Sequence, residues 1–151
     1  AGDMRAACRA VVLPDRMLYY YAGSRARHGL GGPKRIGMDI GLATLRRDGW
    51  ISLDAGAEPG TLVTKPFIHP GGELHLNANA EDGRIVGQFL DEQGEPIAGW
   101  GPSATLAANT LAGRVSFDGR RADALAGRTV RLKLNLTRAQ LYAFWFAAVE
   151  E

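Results

Sequence analysis

Apolar and polar residues alternate with a period of two through long parts of the chain. Leu74, Leu76, Ala78 and Ala80 alternate with His75, Asn77 and Asn79, and Val130, Leu132, Leu134 and Leu136 alternate with Arg131, Lys133 and Asn135. Successive side chains of a β-strand point to opposite faces, so both segments predict half-buried antiparallel strands with one face on a core. "AVVL", "MLYYYA" and "IGLATLRR" are further strand-like runs. "LYAFWF" is apolar on both faces, which predicts a strand packed between sheets or against another domain. Asp48-Gly49, Asp82-Gly83 and Asp118-Gly119 each fall between such runs, and Asp-Gly readily takes the positive φ angles of tight hairpin turns. "LDEQGEPI" places Gly94 where a slightly longer hairpin loop needs a left-handed residue, so four hairpins are expected. The helix-compatible windows, 104–111 and 122–126, are short and lack strong caps. The predicted fold class is all-β, an antiparallel sandwich or jelly roll.

A change of character near residue 49 divides the chain into 1–48, with its strands and a basic glycine-rich loop, and 49–151, with regular alternation. The surroundings of the three Asp-Gly turns do not match one another, so no internal repeat is read. The 151 residues are 46% hydrophobic and 23% charged, enough apolar material for a core. Eighteen Lys and Arg face sixteen Asp and Glu, a net charge of +2 that gives no basic block of the kind that binds nucleic acid. Cys8 has no second thiol for a disulfide or a zinc set and is read as a small core residue. No window approaches the roughly 18 apolar residues of a membrane span. "AGDMRAACRAVVL" lacks the features of a secretory signal and reads as the middle of something, so any export signal is expected to have been removed already.

Candidate chemistry is sparse. Asp91 with Glu92 or Glu95 forms a carboxylate pair, but in a hairpin turn, where solvation gives no reason for a raised pKa. Ser24 and His28 lie four residues apart with no recognisable orienting acid or nucleophile elbow. His28, His69 and His75 show no metal-ligand spacing, and no cofactor motif is present. Flat aromatic rings suit the C–H face of a sugar. Trp100, beside Gly99, Gly101 and Pro102, is the expected candidate because a tryptophan at a strand end or loop is less easily hidden. Trp145 is assigned to packing and Trp50 to joining the two segments. The rows His75/Asn77/Asn79 and Arg131/Lys133/Asn135 line one ligand face if their strands are neighbours, and are otherwise solvent-facing rows.

"MLYYYAGSRARHG" followed by "IGLATLRRDGW" resembles the last blade of the five-bladed β-propeller carbohydrate enzymes, the invertase-, arabinanase- and mannoside-phosphorylase-like group. "GTLVTKPF", "GELHLNANAEDGRIVGQFLDEQGEPIAGW", "LAGRTVRLKLNL" and "AQLYAFWF" resemble the C-terminal β-sandwich of exported proteins that carry such propellers. The resemblance covers nearly the whole chain and implies a terminal blade followed by a sandwich, with an extracellular or periplasmic location. In those enzymes the loop after the tyrosine strand borders the active-site channel, which implies Tyr21, Arg25, Arg27 and His28 near a bound sugar, phosphate or ion. Arginine offers a planar fork of donors and neutral histidine an acceptor, although the same residues also compose ordinary solvated loops. The catalytic carboxylates of such glycosidases come from earlier blades, so this segment is expected to be non-catalytic by itself, without cofactor or metal. The expected function is an accessory, carbohydrate-binding domain, with a glycan and an upstream propeller or a second copy as partners. The alternatives are a structural or protein-interaction sandwich, or a fragment of a glycosidase.

Overall fold

The computed structural model describes residues 3–6, 9–24 and 39–148, and these form an all-β, antiparallel structure. The chain divides into two compact units, Ala1–Trp50 and Ile51–Glu151.

In the first unit β1 (Asp3–Ala6), β2 (Val11–Val12), β3 (Arg16–Ser24) and β4 (Asp39–Arg46) form one sheet. β4 pairs along β3 from Arg16 to Gly23, while β1 and β2 take separate halves of β3's other edge. The tyrosine run alternates across this sheet. Tyr20 shares a face with Leu18, Ile40 and Leu42, and Tyr19 shares the opposite face with Met17 and Leu45. Both faces are therefore apolar, yet Met17 alone of the described residues here is buried, and Ile40 is 80% exposed. Trp50, expected to join the two segments, packs edge-on against Tyr19 within this unit, ring centres 4.5 Å apart. The Asp48-Gly49 turn, with Asp48 at φ +53°, makes no hairpin, because β4 pairs only with β3.

The second unit is a sandwich. β5 (Leu53–Ala55), β6 (Gly60–Val63), β7 (Phe67–Ile68), β8 (Glu73–Asn79) and β9 (Arg84–Leu90) precede β10 (Asn109–Val115), a 3₁₀ turn at Ala122–Leu125, β11 (Thr129–Thr137) and β12 (Ala139–Ala147). One sheet runs β5-β12-β8-β10. In the other, β6 and β7 share one edge of β11 and β9 takes the other edge. Bridges Leu90–Pro96 and Ile85–Leu106 lay residues 96–106 beside β9 as a fourth, irregular strand. This order, with successive segments passing from sheet to sheet, is a jelly roll. Leu74, Leu76 and Ala78 of β8 and Val130, Leu132, Leu134 and Leu136 of β11 face inward as their alternation predicts, and close the core with Ile85, Phe89, Phe117 and Leu125.

Two expectations from the sequence, for Asp82-Gly83 and for Trp100, do not hold in the sandwich. Asp82-Gly83 is no hairpin, because it carries the chain from β8 in one sheet to β9 in the other. The Gly94 turn, at φ +94°, and the Asp118-Gly119 turn do close local pairings, the latter across Phe117 and Arg120. The 104–111 window is not helical, since it is extended and enters β10 at Asn109. Trp100 is not at the surface: it is 7% exposed, with its ring against Phe89 and Phe117 at 5.8 and 5.9 Å. The irregular strand turns Ile97, Trp100 and Ser103 inward. The buried Ser103 Oγ accepts the Gly87 N–H and donates to the Ala104 carbonyl, both at 2.8 Å, which satisfies backbone groups that an irregular strand leaves over.

Candidate functional site

The outer face of the β5-β12-β8-β10 sheet carries the residues that alternation excludes from the core. On β8 these are Glu73, His75, Asn77 and Asn79. On β12 the frame shifts between Leu141 and Ala143, so Tyr142 is inserted and Gln140, Ala143, Trp145 and Ala147 face outward while Leu141, Phe144 and Phe146 stay paired with core residues. Bulges of this kind re-aim side chains at binding faces. The register sets Trp145 opposite His75, Ala143 opposite Asn77, and Gln140 between Asn79 and Asp54 of β5.

The geometry is orderly. Trp145 and His75 stack with centroids 5.6 Å apart and planes 16° from parallel, and Trp145 remains 37% exposed. Arg114 lies opposite His75 on β10, and its Nε holds the buried Glu73 carboxylate at 2.6 Å. β5 pairs with β12 only over Ala139–Leu141, so among the described residues no strand flanks Trp145 on its far side. Farther along, Gln140 Nε2 donates to Asp54 Oδ2 at 3.3 Å and the Tyr142 hydroxyl donates to Gln140 Oε1 at 3.0 Å. His75 Nδ1 is buried without a partner among the described residues. The face ends at an open cleft of about 500 Å³ whose lining includes Asp54, Asn79, Asp82, Arg138 and Gln140 beside Ala55 and Ala139. Small polar groups beside a flat ring are what a polyhydroxylated ligand requires.

The residues picked from sequence are placed otherwise. Tyr21 lies on β3 with its ring over its register partner Gly41, in a shallow cavity of about 340 Å³ shared with Arg5, Tyr20 and Ile40. Arg25, Arg27 and His28 lie outside the described residues, as does Cys8. Trp100 offers no open ring, being in the core. The His75/Asn77/Asn79 and Arg131/Lys133/Asn135 rows do not share a face, since β8 and β11 belong to different sheets and both turn their apolar rows to the core between them. Asp91 works as a turn residue, its Oδ1 accepting the Glu95 N–H at 2.9 Å. Among the described residues no cluster of His, Cys, Asp and Glu is placed to hold a metal ion.

His69 is 1% exposed, and its ring packs on Phe146 at 4.4 Å and Phe89 at 5.3 Å. Nδ1 accepts the Gly71 N–H at 3.0 Å, which puts the proton of the neutral ring on Nε2. Burial lowers its pKa, against a smaller opposing pull from Asp123.

Trp145 is the residue of this candidate site that sequence reasoning assigned to packing. "LYAFWF" reads as apolar on both faces, but the row cross-strand to its outward side is His75, Asn77 and Asn79, which is polar. Pairing β12 with β8 would have exposed that mismatch. No family model, curated protein or solved structure matches this chain.

Proposed function

We propose that the chain is a non-catalytic accessory segment of a carbohydrate-active protein, and that the outer face of the β5-β12-β8-β10 sheet binds its glycan. The observation that carries this reading is the partly exposed Trp145, held by its stack on His75 and followed along the strands by Asn79, Gln140 and Asp54. An indole fixed in one orientation gives a sugar's C–H face a flat apolar partner at little entropic cost. The amides and carboxylate then meet hydroxyls. Binding is the reading favoured on these strands, where Glu73 is held by Arg114 and Asp54, bonded once to Gln140, keeps acceptor sites for hydroxyls.

The first unit supports the propeller half of the reading. A sheet apolar on both faces is built to be covered on both, as a blade is by its neighbours, and its Ile40, Leu42, Met4 and Val12 are exposed in this chain. The same sheet favours the second reading, in which the segment is structural and packs on a partner domain. A glycan-array screen of the chain, with calorimetry on hits and on Trp145→Ala, separates the two: the first reading requires saturable binding lost in the variant, the second requires none.

A further inference from the structure

We infer that the cleft beside Asp82 and Arg138 is the subsite that selects a neutral, multiply hydroxylated sugar unit, a conclusion that rests on the glycan-binding reading of the adjoining sheet face. Arg138 alone links β11 to β12, carrying the chain between the two sheets at φ +44°. That left-handed conformation is unfavourable for a residue with a Cβ, and glycine would take it more readily. The corner is also locked. Its N–H donates to the Gly56 carbonyl at 2.7 Å, and Gly83 approaches the Thr137 and Arg138 carbonyls so closely that a Cβ there would collide with them. Three connections are thereby fixed backbone to backbone, and the side chains they carry stand on a rigid base.

Two clefts open at this end of the sandwich. One, of about 500 Å³, reaches Asp54, Asn79 and Gln140, and the other, of about 460 Å³, reaches Glu81, Arg84 and Thr137. Asp82 and Arg138 line both. Among the described residues the side chains of Asp82, Arg138, Glu81 and Arg84 are exposed and make no hydrogen bond or ion pair, so both signs of charge line these clefts with their polar groups open to a ligand. Carboxylates accept from hydroxyls and a guanidinium donates to them, a mixture that suits a polyol. Three acids against two arginines leave the pair of clefts with a slight negative balance, which disfavours uronates and sulfated sugars. Asn79 and Gln140 belong to the cleft and to the strand rows alike. Trp145 stands opposite His75, four residues from Asn79, about 13 Å at about 3.3 Å per residue. A short oligosaccharide lying along β8 and β12 would stack on Trp145 and place a terminal or penultimate unit in the cleft.

The test titrates the intact chain with neutral oligosaccharides (cello-, xylo- and malto-hexaose and the neutral array hits) and with oligogalacturonate and sulfated oligosaccharides. Arg138→Gly, Asp82→Asn and Trp145→Ala are titrated alongside. Neutral ligands should bind and acidic ones should not. Arg138→Gly and Asp82→Asn should each weaken binding by about tenfold or more, as the loss of one charge-assisted hydrogen bond implies. Arg138→Gly should melt no lower than the wild type, because glycine relieves the backbone. A merely structural Arg138 would leave affinity unchanged. Binding that is lost in Trp145→Ala but unchanged in Arg138→Gly and Asp82→Asn overturns the subsite and leaves the glycan-binding face standing. Preference for acidic ligands also overturns the subsite, and binding of no glycan by the wild type overturns both.

Discussion

Trp100→Ala would remove the largest ring from the sandwich core, and its cost follows from the contacts. The side chain is 7% exposed and meets Phe89 at 5.8 Å edge-on and Phe117 at 5.9 Å, with Arg120 6.0 Å from its centre. Truncating a buried tryptophan costs about 3–5 kcal/mol, the lost transfer free energy plus the cavity left behind. For a unit of this size each kcal/mol moves Tm by about 4–8 °C, so a fall of the order of 20 °C is expected. Thermal melts followed by circular dichroism read the fall in Tm and urea unfolding reads the free energy, with an unchanged m-value showing that stability rather than compactness has moved. Trp145→Ala is the contrast: its ring is 37% exposed, and losing the stack on His75 with partial burial costs about 1–2 kcal/mol. A Trp100→Ala loss below about 1 kcal/mol, the range of surface substitutions, would refute the assignment of Trp100 to the core.

Two further predictions rest on burial. Because burial lowers the His69 pKa, the unfolded chain binds more protons between that lowered value and about 6.5, the ordinary histidine value. Its contribution is therefore complete above pH 6.5 and is lost as pH falls through that window, and urea titrations at stepped pH should find a shallower acid loss in His69→Leu than in wild type. Equal slopes would contradict a neutral buried ring. In the first unit, where Met17 is the one buried side chain among the described residues, β3 and β4 have little apolar contact to hold them closed. Hydrogen exchange by mass spectrometry should find their amides far less protected than those of β8 and β11, and equal protection would mean that both apolar faces are already covered.

Periodicity made the fold class legible because the two strongest alternations, in β8 and β11, are the central core strands of opposite sheets. It did not say which strands share a sheet. Residues 75–79 and 131–135 look equivalent in one dimension, yet they line opposite outer faces. The Asp82-Gly83 dipeptide has hairpin chemistry, but a jelly roll uses such a turn equally well to cross between sheets, and only long-range pairing decides. The tryptophans show the same limit. Trp100 sits among glycines, which reads as surface, but the strand beside β9 turns it inward. Trp145 sits in an aromatic run, which reads as core, but a bulge at Tyr142 and strict alternation turn it out. The loop-end cleft draws residues from three connections, and no local spacing announces it.

The proposal of a glycan-binding face at Trp145 and the strand rows beside it stands or falls on one titration. Isothermal titration of the wild-type chain and of Trp145→Ala against the glycan selected by an array tests it most directly, with circular dichroism showing that both are folded. Saturable binding by the wild type and its loss in the variant are the expected result. Silence across the array, or equal affinity in the two proteins, would contradict it.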